Sequence, residues 1–511
     1  MKPQRSNIAA KCCARLFGLL LTALFVAAPA QALTRAECLA LATIALPDTA
    51  ITSVRFFPTI GECRVLGTVE AEIRFELRLP TTAWNGKLYH RGGGGFVGAI
   101  PSALAGLERG YATVATDTGH VGGVADASWA LDRPDRQLNW AHRAIHLVTG
   151  VAEQIVAAAY GRGPSRAYFQ GCSTGGRQAL MEAQRYPTDF DGIIAGAPAL
   201  DWTGFIEGST FDQQAIAEAP VPPAKLTLIA AAVLERCDAK DGLIDGLVDS
   251  PQRCKFDPAV LECSGGDAPD CLTSAQVEAV AKVYAGPVDS AGEQLHPGFP
   301  PGAEDGETGW QRWITGPTAL GAPLQFILST GFLRFFAFSD PTYDLLAFDL
   351  DRDRAHIERF TEMLDATDPD LSAFRAAGGK LILWHGWADP SLTAYRTIQY
   401  YDDVIRASGN KHEAEDFSRL FLAPGMHHCE GGPGLNRFDA LTALERWVEE
   451  GIAPDAIVAE HAGSGVARTR PLCAYPSIAV YDGRGDADSA AHFRCENRGL
   501  GYSLKGFESG Q

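Results

Sequence analysis

The chain has 511 residues, 46% of them hydrophobic, and a formal net charge of −18. No Lys/Arg cluster is present to track a phosphate backbone, which excludes nucleic acid as a partner, while the acidic balance by itself implies only solubility. At this length about two domains, or one core with a large insertion, are expected.

The N-terminus carries Lys2, Arg5, Lys11 and Arg15, then the apolar run Leu16 to Ala28, then Ala30-Gln31-Ala32. This is the layout of a secretory signal peptide over residues 1–32, with a mature start near Leu33. The apolar run is shorter than the roughly 20 residues that span a bilayer, and no later segment is long enough, so a secreted or periplasmic location without a membrane partner is expected. Removing the segment takes away Cys12 and Cys13 and leaves ten cysteines: Cys38, Cys63, Cys172, Cys237, Cys254, Cys263, Cys271, Cys429, Cys473 and Cys495. An even count in an exported chain predicts five bridges. The couples Cys237/Cys254 and Cys263/Cys271 would close short loops, which leaves Cys172 and Cys429 for each other, but sequence alone permits many pairings, and free buried thiols are the competing reading.

In chain order, Val69 to Leu79 reads as a strand, as do Lys87 to Tyr89, which ends in the glycine string Gly92 to Gly95, and Ala112 to Thr116. Trp140 to Tyr160 has apolar positions at helical spacing. Arg166 to Gln170 is a short strand running into Gly171-Cys172-Ser173-Thr174-Gly175, and Arg177 to Tyr186 reads as a helix. After the strand Gly192 to Ala195 the alternation stops. Residues 201–372 hold two close cysteine pairs, a Pro/Gly-rich loop and the aromatics Trp310, Trp313, Phe326, Phe332, Phe335, Phe336 and Phe338, and are expected to form an inserted lid domain. Strands resume at Lys380 to His385 and Ser418 to Leu422, and a helix from Asp439 to Glu450 follows. Strands alternating with helices predict an α/β class with a mostly parallel sheet, its catalytic domain split between residues 33–200 and 373–511.

Gly171-x-Ser173-x-Gly175 is the nucleophile-elbow pattern, weak alone but here placed between a strand and a helix. Ser173, Asp389 and His428 then follow in the chain order of an α/β-hydrolase core. Asp389 lies in a loop directly after a strand, and His428 in the loop Ala423 to Cys429, with His427 as an alternative base. Cys172 and Cys429 each adjoin one of these residues, so a bridge between them would pin serine against histidine. Tetrahedral intermediates need amide donors, for which the backbone of Thr174 and the glycine string, taken at Gly94, are the candidates.

Together these residues resemble the tannase and feruloyl esterase family, which includes mono(hydroxyethyl) terephthalate hydrolases. The resemblance rests on Cys172-Ser173 with His428-Cys429, on Gly425-Met426-x-His428-Cys429-x-Gly431-Gly432-Pro433-Gly434, and on His385-Gly386-Trp387-x-Asp389. It implies a secreted serine esterase acting on aryl (hydroxycinnamoyl, galloyl or terephthaloyl-type) esters, with Ser173 as nucleophile, His428 as base and Asp389 as orienting acid. It also implies the pairs Cys38/Cys63, Cys172/Cys429, Cys237/Cys254, Cys263/Cys271 and Cys473/Cys495, and a lid calcium. The calcium would be held by Asp238, Asp241 and Asp245 with the carbonyls of Leu243 and Leu247, hard oxygen donors that suit Ca²⁺. No organic cofactor is expected, and the oligomeric state is left open. Arg334 would pair a substrate carboxylate, beside Phe335 and Phe338 as aromatic contacts. Two competing readings are an exported metallohydrolase using His142 and His146, at i, i+4, and a non-catalytic calcium-stabilised binding protein on a hydrolase scaffold.

Overall fold

A computed structural model describes residues 32–463 and 465–498, so the expected signal segment, apart from Ala32, lies outside the described residues. Its central sheet has nine strands: β1 (Thr49–Phe57), β2 (Glu62–Val69), β3 (Ile73–Pro80), β4 (Lys87–Arg91), β5 (Ala112–Thr116), β6 (Arg166–Ser173), β7 (Gly192–Pro198), β8 (Lys380–Gly386) and β9 (Ser418–Ala423). They lie in the order β1-β2-β3-β5-β4-β6-β7-β8-β9. From β5 to β9 neighbouring strands are parallel, whereas β1, β2, β3 and β5 pair antiparallel. Every residue of β5 and of β7 is buried, which is why these strands read as continuous apolar runs rather than alternating ones.

One predicted strand is in fact parts of two. Val69 ends β2 and Ile73 begins β3, and the turn between them places Glu70 and Ala71 at φ +49° and +70°. Glycine or asparagine ordinarily marks such a turn, and neither is present to signal it.

Helices cover both faces of the sheet. On one face α1 (Ala144–Tyr160), α2 (Thr174–Arg185) and a helix at Ala394–Ala407 bury Val148, Leu180 and Ile398 against a core that includes Phe169 and Leu381. On the other, the helix Ala440–Glu450 sets Leu441, Leu444 and Trp447 against Tyr168, Ile194 and Ile382. This alternation of Tyr168 and Phe169 between faces follows from the two-residue period of a strand. The layout is that of an α/β-hydrolase core.

Between β7 and β8 the described chain adds no strand to the central sheet. The segment is mainly helical, led by α3 (Trp202–Glu218) and α4 (Pro223–Cys237). Its apolar core is continuous with the main body: Phe96 and Trp140 lie 5.4 and 5.0 Å, centroid to centroid, from Trp202, and Phe336 is 5.9 Å from Phe96. The insertion is therefore bonded to its host by a shared aromatic cluster. Flanking the helix Ala440–Glu450 is a three-stranded antiparallel sheet (Arg437–Phe438 before it, Ala456–Glu460 and Thr469–Cys473 after it), followed by a hairpin of Ile478–Tyr481 with Phe493–Glu496. Among the described residues no single helix is long and apolar enough to cross a membrane.

Candidate active site

β6 ends at Ser173, whose backbone adopts φ +64°, ψ −125° and turns at once into α2. A non-glycine residue with positive φ stores strain and lifts its side chain out of the strand, the geometry of a nucleophile elbow. The turn closes only because its flanks lack side chains. A Cβ on Gly171 would sit 2.2 Å from the Gly175 carbonyl oxygen, and one on Gly175 would sit 2.7 Å from the Gly93 carbonyl oxygen. Gly171→Ala is therefore expected to cost at least about 1–3 kcal/mol, read as a lower midpoint in thermal unfolding.

The glycine string after β4 runs alongside this turn. The amide of Gly92 donates to Gln170 O (3.0 Å) and that of Gly93 to Gln178 Oε1 (3.0 Å), while Thr174 Oγ1 donates to Gly95 O (3.1 Å). Among the described residues the amides of Gly94 and Gly95 have no acceptor, and both residues line the cavity above Ser173. Thr174 is the first residue of α2, so its amide has no intrahelical acceptor either. Gln178, which fastens the string, was not legible in the sequence, because a buried glutamine one turn into a helix carries no signal of its partner.

Asp389 follows β8 in a tight turn and is fully buried. Its Oδ1 accepts the amides of Ser391 (2.8 Å) and Leu392 (2.9 Å), and its Oδ2 accepts a hydrogen bond from His428 Nδ1 (2.7 Å). His385, held by Thr397 Oγ1 and Leu392 O, brings its Nε2 to 3.3 Å of the same Oδ2. Burial alone would raise the Asp389 carboxyl, but His428 and His385 beside it hold it well below the usual carboxylate range. It is an ionised acceptor at neutral pH. The edge-on ring of Trp313, 4.9 Å from the His428 ring, covers the imidazole from the insertion.

His427 turns the other way. Its Nδ1 lies 2.7 Å from Thr308 Oγ1, no carboxylate among the described residues bonds it, and burial pulls it down to about 4, so it stays neutral. Of the two adjacent histidines only His428 meets Asp389.

The sulfurs of Cys172 and Cys429 are bonded, with Cα atoms 6.0 Å apart. The bridge joins the residue before Ser173 to the residue after His428 across 257 positions of sequence. The four other bridges pair Cys38 with Cys63, Cys237 with Cys254, Cys263 with Cys271 and Cys473 with Cys495. Ser173, His428 and both bridge cysteines open into one cavity of about 1070 Å³, roofed by the insertion's Trp313, Leu320, Leu324 and Leu328.

A family model described as tannase and feruloyl esterase matches residues 58–496. The chain belongs to the tannase and feruloyl esterase family. An uncharacterised esterase of Xanthomonas campestris pv. campestris is 37% identical, with 92% of each chain covered. The mono(2-hydroxyethyl) terephthalate hydrolase of Piscinibacter sakaiensis is also 37% identical, over 83% of this chain and 81% of that one. Among solved structures, feruloyl esterase B from Aspergillus oryzae superposes with a TM-score of 0.83 at 26% identity, covering 90% of this chain and 99% of that one. The protein is a carboxylic ester hydrolase.

The esterase does not place the expected substrate contacts in its cavity. Arg334 donates through Nε to Tyr343 O (2.8 Å), Phe338 stacks on Tyr343 at 3.9 Å, and Phe335 packs on the insertion's core. None of the three lines the cavity of Ser173. The last turn of their helix widens to π geometry at Leu333–Ala337, and packing rather than sequence order decides which face looks inward. The cations that do line it are Arg91 and Arg312, neither in an ion pair among the described residues.

In the acidic loop, Asp238 accepts the amides of Asp245 (3.0 Å) and Gly246 (2.9 Å), and Asp241 Oδ1 accepts that of Leu243 (2.9 Å). Asp245 Oδ1 accepts the Leu247 amide at 3.2 Å. Buried Arg470 reaches Asp245 Oδ2 (2.7 Å) and Asp249 Oδ2 (2.8 Å). Asp241 Oδ2 and Asp249 Oδ1 are buried without a partner. Burial pushes both carboxyls up. As placed, no three His, Cys, Asp or Glu groups among the described residues converge on a metal position, here or at His142 and His146. Those two histidines bond Tyr186 OH (2.8 Å) and Asp189 Oδ2 (2.6 Å) respectively.

Proposed function

We propose that this esterase hydrolyses aryl carboxylic esters through an acyl-enzyme on Ser173, with His428 as general base, Asp389 as its orienting carboxylate and the insertion as a lid. The observation that carries the reading is the linkage itself: a strained serine and an Asp389-bound imidazole open into one cavity and are cross-linked by the cysteines beside them. With Nδ1 of His428 donating to Asp389, Nε2 is free to take the Ser173 proton. Oγ then attacks the acyl carbon, and the oxyanion is met by the amides of Thr174 and of Gly94 or Gly95. The imidazolium protonates the departing alcohol, and water enters through the same base. The aryl class is supported by two relatives, named for a terephthalate monoester and for feruloyl esters, and by an apolar roof that would bury a planar ring.

The acidic loop would hold a structural Ca²⁺ through Asp238, Asp241, Asp245 and the carbonyls of Leu243 and Leu247. The partnerless buried Oδ2 of Asp241 supports this, because a hard divalent cation would neutralise it. Its binding is expected to add about 3 kcal/mol at a hundredfold excess over its Kd, so EDTA should lower the unfolding midpoint and added Ca²⁺ restore it. Turnover at 25 °C should persist after chelation. Its loss in a still-folded protein would make the metal catalytic.

Export is supported by the N-terminal segment and by the bridges. The substrate class is tested with methyl ferulate, methyl gallate and mono(2-hydroxyethyl) terephthalate on the wild type and on Ser173→Ala. Wild-type turnover of at least one, absent in the variant, is expected. No turnover of any of the three would overturn the aryl-ester reading.

A further inference from the structure

The glycine string beside Ser173 has no side chains of its own to hold it. A Cβ built on Gly94 would meet nothing within 4 Å, and one on Gly93 would meet only Val97, at 3.8 Å. Glycine is the most conformationally free residue, so an amide on such a string keeps one direction only where other groups fix its peptide planes. Those groups converge on the carbonyls. Gly95 O accepts Thr174 Oγ1 (3.1 Å) and Trp140 Nε1 (3.2 Å), which fills both of its lone pairs. Phe96 O accepts Trp129 Nε1 (3.2 Å) and His120 Nε2 (2.9 Å), and Gly94 O accepts the Val97 amide (3.1 Å). The Phe96 amide in turn donates to Val124 O (3.0 Å).

We propose that Trp140 is a positioning residue for ester hydrolysis: its indole N–H pins the Gly95 carbonyl and thereby aims the free amides of Gly94 and Gly95 at the oxyanion. The inference rests on the acylation role given above to Ser173. Trp140 does not line the cavity of that serine, so it acts through the string and not on the substrate.

The indole has one orientation available. Trp140 is fully buried on the π-helical turn Asn139–Arg143 that leads into α1, a widened geometry common at functional sites. The Arg177 guanidinium lies 4.3 Å over its ring, with the Phe96 ring 5.4 Å away. From the insertion, Trp202 and Phe336 approach to 5.0 and 5.8 Å. Packing of the insertion on its host therefore seats the side chain that pins the string. Such a hydrogen bond is not automatic for a buried tryptophan, because Nε1 of Trp202 and of Trp310 has no partner among the described residues.

That contrast supplies the control. Trp140→Phe keeps an aromatic ring and deletes a bonded donor, while Trp310→Phe makes the same exchange at a buried indole that bonds nothing and lies outside the cavity. On an ester that the wild type turns over, Trp140→Phe is expected to lower kcat and kcat/KM together by about tenfold or more at unchanged KM, the signature of an interaction made in the transition state. Trp310→Phe should leave kcat within about twofold of wild type. Equal losses in the two variants, or a loss confined to KM, overturn the proposal. Should Trp140→Phe fail to fold, β-(3-benzothienyl)alanine at the same position keeps the shape of the indole with sulfur in place of its N–H, and the same outcomes apply. A second measurement reads the string itself: hydrogen exchange of the peptide spanning residues 92–98, followed by mass spectrometry in Ser173→Ala protein with and without Trp140→Phe. Exchange faster by about tenfold or more is expected, and unchanged exchange overturns the positioning role whatever kcat does. Turnover that survives in Ser173→Ala would fault the acylation reading instead, and the exchange result tells the two failures apart.

Discussion

Ser173→Ala is expected to lower kcat on any ester substrate by about 10⁴-fold or more, while the unfolding midpoint stays within a few degrees of wild type. The side chain removed is one oxygen atom on a residue whose φ of +64° is imposed by its neighbours, so alanine inherits the same turn. What remains is the set of free amides at Thr174, Gly94 and Gly95, which can polarise a carbonyl but supply no nucleophile. Residual turnover above that of the uncatalysed reaction is therefore compatible with the account. Turnover near the wild-type rate is not, and would place the chemistry on another group.

The second large effect is expected from the bridge. Replacing Cys172 and Cys429 together by alanine should lower kcat by about 10²-fold or more, since a displacement near 1 Å between reacting groups carries a penalty of that size. Ser173 is held by the sheet and by α2, whereas His428 sits on a loop, its imidazole tied by the Asp389 hydrogen bond and its next residue by this disulfide. Loss of the bridge also frees the unfolded chain and should cost about 2–5 kcal/mol. A control separates the two consequences. Removing the Cys263/Cys271 bridge, which closes a short loop whose ends are 8 positions apart, should lower stability without moving kcat. Equal kcat losses in both variants would mean that the Cys172/Cys429 bridge acts through stability alone.

Much of this site was legible before the structure, for physical reasons. β5 occupies the predicted Ala112–Thr116, and β8 and β9 each extend the predicted run by one residue, because fully buried parallel strands announce themselves as apolar runs between glycines and polar residues. The helix after the serine starts at Thr174 rather than Arg177, since the elbow itself serves as the N-terminal boundary. The turn at Glu70 and Ala71 was invisible because its positive φ values fall on residues that do not advertise them. Arg334, Phe335 and Phe338 were placed at the substrate by proximity in sequence, yet helix packing points them elsewhere. His428 was preferred to His427 in the sequence because it adjoins Cys429; the fold puts His428 on Asp389, while His427 meets Thr308, a partner remote in sequence that nothing in the chain announced.

The central claim is that Ser173 is the atom-bearing nucleophile activated by His428. It is tested most directly by treating the folded protein with a serine-directed aryl phosphonate and locating the adduct by intact mass and peptide mapping. One equivalent is expected, bound to the peptide containing Ser173, with loss of activity in step with labelling and no labelling of His428→Ala on the same timescale. Full activity in a protein left unlabelled, or a stoichiometric adduct at a different residue, would contradict the account.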